Sequence, residues 1–267
     1  EDERAGEIMS EVYRPLFVNQ APVVITRRRT AELIKYASNA FLATKINFIN
    51  EMADLCERVG ANVQEVARGI GLDNRIGAKF LHAGPGFGGS CFPKDTRALV
   101  ETAREFDSPL PTVEAVIAFN ENRKHRMVEK VFKACGGSVA GKTIAILGLT
   151  FKPNTDDMRE APSLVILPRL MDMGARVRVN DPQGRRHAEH MLEGVTWCDS
   201  AIEAATGSDV LVLLTEWNEY RALDLAAVRR VMRGDLLVDL RNVFNPEDAA
   251  RAGLSYEGVG RAATTAG

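Results

Sequence analysis

Apolar residues recur every three or four positions between residues 30 and 137, which is the period of helices with one buried face. Glycine commonly ends helices and proline is favoured at their first turn, so these residues mark the boundaries. The predicted helices are 30–60, capped by Thr30 with Glu32 in its first turn; 63–70; one from about Pro93; and one from Pro109 and Pro111 to Gly136. The first is long for a globular protein, and a contact between two copies is expected along it.

The pattern changes at Lys142, after which short β-branched runs alternate with segments of helical period. The predicted strands are 143–147, 176–180, 209–214 and 236–239. This alternation predicts a doubly wound parallel sheet, in which ligands bind beyond the carboxyl ends of the strands. Four segments are expected at that edge: 149–152, 181–182, 215–217 and 241–242.

The first residues of the sequence predict a helix at 3–19 and a short strand at 22–26. Together these elements are typical of the end of an α/β unit. Because the sequence begins with Glu1 and offers this strand no sheet, we expect the chain to be a piece of a longer polypeptide.

Composition excludes several classes of protein. The 267 residues are 45% hydrophobic and 26% charged, as in a globular protein of about two domains. A net charge of −2 argues against a nucleic-acid partner or an anionic membrane surface. No apolar run approaches the ~18 residues that cross a bilayer, and the four cysteines are too dispersed for a disulfide framework. We therefore expect a cytoplasmic protein with reduced thiols.

Residues 84–89 formally match the dinucleotide-binding pattern G-x-G-x-x-G, but neither the preceding strand nor an immediate helix is predicted. We interpret them as a glycine loop whose backbone approaches a ligand closely. Cys91 follows just before a helix start, where the helix dipole and Lys94 favour the nucleophilic thiolate. The other three cysteines are interpreted as buried hydrophobes. Lys35 and Asn39 share a helix face and are candidates for one ligand.

A long polar segment, residues 148–162, follows the first predicted strand. Its Lys152 and Arg159 suggest an anion such as phosphate, because basic side chains bind such oxygens with charge-assisted hydrogen bonds. His187 and His190 lie three residues apart but have no third ligand nearby, so no metal site is predicted.

Three segments resemble motifs of the UDP-glucose/GDP-mannose dehydrogenase family. They are residues 31–43 (AELIKYASNAFLA), residues 86–95 (GFGGSCFPKD) and residues 148–159 (GLTFKPNTDDMR). The resemblance implies a helical central dimerisation domain at 30–137, which carries the catalytic cysteine, and a Rossmann-like UDP-sugar-binding domain at 138–267. It implies that residues 1–29 are the end of an NAD-binding domain that this sequence mostly lacks, so the chain alone is expected to be inactive.

The resemblance also implies a chemistry: NAD-dependent, four-electron oxidation of UDP-glucose to UDP-glucuronate through a thiohemiacetal and a thioester on Cys91. Lys35 and Asn39 match residues that bind substrate and stabilise oxyanion charge, and Asp95 matches one that helps activate water. Substrate contacts are implied for Lys35, Arg75 (across a homodimer), Phe80, Leu81, His82, Ala83, Gly84, Gly88, Lys152 and Arg241. Lys94 and Arg159 are implied to lie toward NAD, and the product usually feeds polysaccharide synthesis.

Three alternatives stay open at this point. A family member that oxidises GDP-mannose shares the cysteine loop, although Phe92 and residues 152–157 favour UDP-glucose. A non-catalytic dimer that binds nucleotide sugars would keep the fold, but pure binding does not need a thiolate beside Lys35 and Asp95. A cysteine hydrolase would need a histidine base, for which His82 is the only histidine near the loop in sequence.

Overall fold

The computed structural model describes residues 2–17 and 23–265. The helices are α1 (Glu3–Phe17), α2 (Arg28–Val59), α3 (Val63–Gly71), α4 (Phe92–Glu105), α5 (Pro111–Ala134), α6 (Ser163–Asp172), α7 (Arg185–Ala188), α8 (Ala201–Ala205), α9 (Asn218–Arg221), α10 (Leu225–Val231) and α11 (Pro246–Arg251). The strands are β1 (Thr143–Leu147), β2 (Arg176–Asn180), β3 (Thr196–Trp197), β4 (Val210–Leu213), β5 (Leu236–Asp239) and β6 (Ser255–Gly258). A helical part is thus followed by an α/β part, as the sequence predicted.

The helical part is built on α2, which packs against α3, α4 and α5. Its carboxyl end is the predicted one, because Gly60 takes the left-handed conformation (φ 73°) and donates its N–H to Cys56 O. The predicted amino end is wrong. Arg27 is the N-cap residue and makes no side-chain capping bond, so Thr30 lies inside the helix. Arginine is a good helix former, so the helix includes Arg28 and Arg29 before Thr30.

The six strands form one parallel sheet in the order β3-β2-β1-β4-β5-β6. This is the order of a doubly wound sheet whose strand order reverses beside β1. The predicted strands form its centre, whereas β3 and β6 were not predicted. β3 has only two residues, and the sequence of β6, SYEG, contains a charge and a glycine, so neither gives a β-rich run.

The predicted strand at 22–26 is not formed by its described residues. Residues 23–27 carry no helix or strand, and Val24 and Ile25 are 72% and 71% exposed. A strand needs a neighbour to satisfy its backbone groups, and no described strand lies beside this segment. Pro22 and residues 18 and 19, which the predicted helix included, lie outside the described residues; the described helix covers 3–17.

One hydrophobic core joins the helical part to one face of the sheet. Ile49 of α2 and Val131 of α5 are fully buried in the same cluster as Ile144 of β1 and Val238 of β5. The two parts therefore hold the segments between them in a fixed position. Of the helices that the structure describes, none combines the length and the apolar character needed to span a bilayer.

Candidate active site around Cys91

Cys91 lies at the junction of the glycine loop and α4, where it is the N-cap residue. Its side chain is exposed, and its sulfur lies 3.8 Å from Ser90 Oγ. Its carbonyl oxygen accepts the first helical hydrogen bond, from Asp95 N at 2.8 Å. The thiol is thus accessible and lies at the positive end of a 14-residue helix, as the sequence predicted.

Asp95 is one helical turn beyond the thiol, is 3% exposed and gathers three donors. Asn39 Nδ2 donates to Oδ2 at 2.6 Å, Lys35 Nζ lies 3.5 Å from the same oxygen, and Lys94 Nζ donates to Oδ1 at 2.7 Å. Burial by itself raises the pKa of Asp95, but the hydrogen bonds from Lys94 and Asn39 and the charges of Lys94 and Lys35 outweigh it, so this pKa lies below its usual value. The carboxylate therefore stays ionised within a cationic cluster.

Two cations lie within electrostatic reach of the thiol. The hydrogen bond to Asp95 and the charge of that carboxylate raise the pKa of Lys94, and Tyr36 and Cys91 add smaller contributions. The pKa of Arg159 is raised chiefly by its hydrogen bond to Asp157, again with a smaller contribution from Cys91. Both side chains are exposed, and each is paired with a neighbouring aspartate.

The glycines of the loop are required by contacts with the protein itself. A Cβ on Gly88 would lie 2.4 Å from Glu160 O, and a Cβ on Gly89 would lie 2.7 Å from the Phe151 ring. Gly89 N also donates to Arg159 O at 2.7 Å. The loop is buried against residues 151–161. The loop backbone therefore approaches the protein chain closely, whereas the approach to a ligand that the sequence analysis expected stays a prediction.

Buried polar residues of α2 and α5 hold the same loop, and the sequence analysis missed them. Asn50 Oδ1 accepts Gly84 N at 2.8 Å, and Arg123 Nε donates to Gly84 O at 3.0 Å. Asn120 exchanges two hydrogen bonds with the backbone of Phe87, at 2.9 and 3.0 Å. All three polar side chains are almost fully buried. Their signal in the sequence was a polar residue in the apolar stripe of a helix, the same signal that drew attention to Asn39.

A second group of predicted residues lines a cavity of about 370 Å³ between α3 and the end of β5. Leu81, His82, Ala83 and Arg241 are among its lining residues. Phe80 lies beside it with a positive φ of 66°, and its ring is 6.1 Å from that of Phe92. The structure therefore brings together the 80–84 segment and Arg241, for which the family resemblance implies contacts with one ligand.

Arg241 connects this cavity to the glycine loop and to the ends of the strands. Its Nε donates to Leu214 O at 2.8 Å and lies 3.1 Å from Glu216 Oε2, and its Nη2 donates to Phe151 O at 3.2 Å. A Cβ on Gly84 would lie 3.2 Å from its Nη1. One guanidinium thus joins the carboxyl ends of β1, β4 and β5 to the loop that leads to Cys91.

Two predicted substrate residues are not joined to these groups. Lys152 is exposed, with Nζ 5.3 Å from the centroid of the Phe151 ring. Arg75 is exposed too, and its guanidinium pairs with Asp73 at 2.6 Å within the same turn. His187 lies beside Asp156 at 3.1 Å. Among residues 2–17 and 23–265 no three His, Cys, Asp or Glu side chains are grouped to hold a metal ion.

Comparison with known proteins finds two family models that match this chain. Residues 29–122 match the model of the UDP-glucose/GDP-mannose dehydrogenase family, central domain, and residues 145–246 match that of the UDP-glucose/GDP-mannose dehydrogenase family, UDP binding domain. UDP-glucose 6-dehydrogenase of Rhizobium meliloti (strain 1021) is 58% identical over 97% of this chain and 60% of the relative. UDP-glucose 6-dehydrogenase YwqF of Bacillus subtilis (strain 168) is 48% identical over 98% of this chain and 59% of the relative.

The fold of this chain is also found in a solved structure. The UDP-glucose dehydrogenase from the hyperthermophilic archaeon Pyrobaculum islandicum superposes with a TM-score of 0.85 and 37% identity over 98% of this chain and 57% of that chain. The chain thus spans about 60% of the length of the curated relatives that it matches.

Proposed function

This chain belongs to the UDP-glucose/GDP-mannose dehydrogenase family, and on that premise we propose that it carries the covalent-catalysis and nucleotide-sugar-binding parts of a UDP-glucose 6-dehydrogenase. The observation that carries the proposal is the cluster at the start of α4. An exposed thiol lies one helical turn before a buried carboxylate that Lys35, Asn39 and Lys94 surround. A protein that only bound nucleotide sugars would need neither group.

The proposed reaction converts the C6 alcohol of UDP-glucose to a carboxylate with loss of two hydrides. The first hydride and a proton leave the alcohol to give an aldehyde. The Cys91 thiolate adds to the aldehyde, and a proton on the former carbonyl oxygen completes a thiohemiacetal. Loss of that proton and of the second hydride gives a thioester, and attack of water then releases the carboxylate and regenerates the thiolate.

The cluster supplies groups for each of these steps. Lys35 and Asn39 lie where their N–H groups can stabilise the oxygen that becomes negative as the thiolate adds and as water attacks. Asp95 accepts hydrogen bonds from both side chains, so it fixes their orientation. We assign Asp95 to orienting the hydrolytic water, because an ionised carboxylate accepts a hydrogen bond from it.

When bound, NAD would supply the hydride-accepting chemistry for both oxidations in this proposal. Of the residues present, the exposed Lys94 and Arg159 would hold the anionic part of such a cofactor through charge-assisted hydrogen bonds. The segment after β1 contains a single glycine, Gly148, in residues 148–162, so the sheet lacks the glycine-rich turn that binds a dinucleotide. We therefore expect this chain by itself to bind the sugar nucleotide without turnover.

The sugar nucleotide is assigned to the region between the 80–84 segment and the carboxyl ends of the strands. The cavity beside Leu81 and Arg241 has a volume of about 370 Å³, in the range of small-molecule sites. Arg241 and the exposed Lys152 offer cations for hydroxyl and phosphate oxygens. Arg75 is exposed and does not line the cavity of its own chain. We propose that it binds the substrate of the second protomer in a dimer.

Calorimetric titration of the chain with UDP-glucose, with GDP-mannose in parallel, tests the proposal. We expect saturable binding of UDP-glucose that Lys152→Ala weakens about tenfold through loss of one charge-assisted contact. The matched control is Lys133→Ala, an exposed lysine on α5 away from the cavity, which should bind as the wild type does. Preference for GDP-mannose would move the assignment to the other substrate of the family, and binding of neither nucleotide sugar would contradict it.

A further inference from the structure

The carboxyl end of β1 is the place where a sheet of this strand order usually binds an anion, through backbone N–H groups of the turn that follows the strand. In this chain those groups already have an anionic partner. Leu149 N and Thr150 N donate to Oδ2 of Asp181 at 2.6 and 3.1 Å. Asp181 follows β2 and is 7% exposed. A carboxylate of the protein thus lies where a ligand phosphate would otherwise be bound.

The Asp181 carboxylate is fully engaged by donors. Oδ2 also accepts from Thr150 Oγ1 and from Trp217 Nε1, both at 3.3 Å. Oδ1 accepts from Gln183 N at 3.0 Å and Gly184 N at 2.6 Å. Six donor atoms from three segments of the chain therefore converge on one side chain, which is more than a carboxylate needs to be stable when buried.

The neighbouring segments close the same place. A Cβ on Gly148, whose φ is 87°, would lie 2.4 Å from Cβ of Thr215, so the turns after β1 and β4 are in direct contact. Thr215 Oγ1 donates to Thr150 O at 2.6 Å. The crevice between these two strands is filled by the protein, which leaves no room there for a dinucleotide.

The segment that Asp181 holds leads directly to the candidate active site. Phe151 follows Thr150, and its ring lies against Gly89 of the cysteine loop. The carbonyl oxygen of Phe151 accepts from Arg241 Nη2 at 3.2 Å. Lys152 is the next residue along the chain. The position of residues 149–152 therefore affects the thiol loop and both cations that we assign to the sugar nucleotide.

We propose that Asp181 is a positioning residue whose carboxylate occupies the anion-binding position at the carboxyl end of β1. By occupying that position it fixes residues 149–152, which lie next to the cysteine loop and to the proposed site of the sugar nucleotide. The substrate named here rests on the proposed function. Binding of the sugar nucleotide is thus displaced from the sheet's own crevice to the junction with the helical part, where Cys91 lies.

Asp181→Asn tests this inference, because the side chain keeps its shape while one oxygen becomes an NH₂ group that faces backbone donors. We expect the dissociation constant for UDP-glucose to rise at least about tenfold, as for loss of hydrogen bonds to a buried charge. The matched control is Asp209→Asn. Asp209 Oδ2 accepts Thr143 N at 2.7 Å at the opposite end of β1, so this variant should lose stability and keep its affinity.

Chemical rescue separates an anion from a merely structural side chain. Asp181→Gly leaves space for an external carboxylate, and formate is expected to restore the affinity for UDP-glucose at least about threefold, whereas chloride at the same ionic strength does not. If Asp181→Asn fails to fold, Trp217→Phe replaces it. That variant removes one donor of the six and is expected to weaken binding about threefold.

The outcomes distinguish this inference from the proposed function. A folded Asp181→Asn that binds UDP-glucose as tightly as the wild type overturns the proposed role of Asp181 and leaves the proposed function intact.

If the wild type does not bind UDP-glucose, the proposed substrate is wrong, and the role of Asp181 is then tested by alkylation of Cys91. The rate should rise at least about threefold in Asp181→Asn and stay unchanged in Asp209→Asn, because only the first releases Phe151 from the cysteine loop. Equal rates in both variants would overturn it.

Discussion

Among the cysteines, Cys91 differs from the other three in both accessibility and electrostatic surroundings. Its thiol is exposed, with the cations of Lys94 and Arg159 within reach. Cys56 and Cys198 are buried and Cys135 is partly buried, and burial raises the pKa of all three. Because the thiolate is the reactive form, three of the four cysteines are expected to be inert near neutral pH.

We predict that iodoacetamide labels Cys91 much faster than the other three thiols at pH 7.5, as read by peptide mass spectrometry. Exposure of the Cys91 thiol alone would make it the fastest to be labelled. A variant that removes the nearby cation therefore separates the effect of exposure from the effect of charge. Lys94→Gln should slow the labelling of Cys91 about threefold, because a nearby cation favours the thiolate. Labelling of Cys91 no faster than that of Cys56 would contradict the assignment of the nucleophile.

Asp95 gives the site a pH dependence, because its pKa lies below the usual value of 3.8. The folded protein therefore binds this proton less readily than the unfolded chain does, so the ionised carboxylate stabilises the fold at neutral pH. We predict that Asp95→Asn lowers the free energy of unfolding by about 1–2 kcal/mol at pH 7. The difference in free energy of unfolding between the wild type and Asp95→Asn should become smaller as the pH falls from 3.8 to below the lowered pKa of the folded state.

Urea unfolding of the wild type and of Asp95→Asn at several pH values measures this effect. Asp2→Asn is the matched control, since Asp2 is exposed. A difference between the wild type and Asp95→Asn that grows as the pH falls would have the wrong sign for a carboxyl with a lowered pKa.

At the scale of elements, α2 has two apolar faces with different partners. One face is buried against the rest of the chain, with Ala43, Ile49 and Ala53 fully buried. The other face carries large apolar side chains at intervals of seven residues, each 46–66% exposed: Ile34, Phe41, Phe48 and Leu55. A repeat of seven along one helix is typical of a seam with a second helix. This face supports the proposed dimer.

We predict that the chain is a dimer at micromolar concentration and that Phe41→Glu combined with Phe48→Glu makes it a monomer. Burial of one such ring contributes about 1.5–3 kcal/mol, so two charged replacements weaken association by at least about a hundredfold. Sedimentation equilibrium measures the state. Phe106→Glu is the control, because Phe106 is 73% exposed at the end of α4 and lies outside the repeat. A wild type that sediments as a monomer would contradict the proposed interface.

In the molecule as a whole, a partly buried ion network joins the helical part to the sheet. Lys130 of α5 has a side chain only 9% exposed, and it contacts Glu57 of α2 at 2.8 Å and Glu257 of β6 at 2.7 Å. Glu57 Oε1 also accepts Gly260 N at 2.7 Å. The network and the shared hydrophobic core hold the junction where Cys91, Asp95 and the cavity lie.

We predict that Lys130→Met lowers the free energy of unfolding by about 2 kcal/mol, because it leaves two partly buried carboxylates without their cation. Lys133→Met, three residues along the same helix and exposed, should change it by less than about 0.5 kcal/mol. Urea unfolding followed by circular dichroism measures both. Equal effects of the two variants would show that the junction does not depend on the ion pairs.

Much of the site was predictable from the sequence because its residues are close together along the chain. Cys91, Lys94 and Asp95 fall within five residues, so a helix start places them together. Lys35 and Asn39 lie on one helix face, but their meeting with Asp95, 56 to 60 positions away, depends on the packing of α2 against α4. The role of Arg123 beneath Gly84 was not predictable, since a buried arginine in a helix has many possible partners.

The sequence by itself determined the local elements: the helical period of residues 30–137, the four central strands, the thiol at a helix start and the motifs of the family. These depend on residues that are near one another in the chain. The tertiary structure decided which distant groups meet: Asp95 with Lys35, Phe151 with Gly89, and Asp181 with the turn after β1. It also decided that residues 23–27 form no strand, whereas Ser255–Gly258 does, because a strand depends on the neighbour with which it pairs.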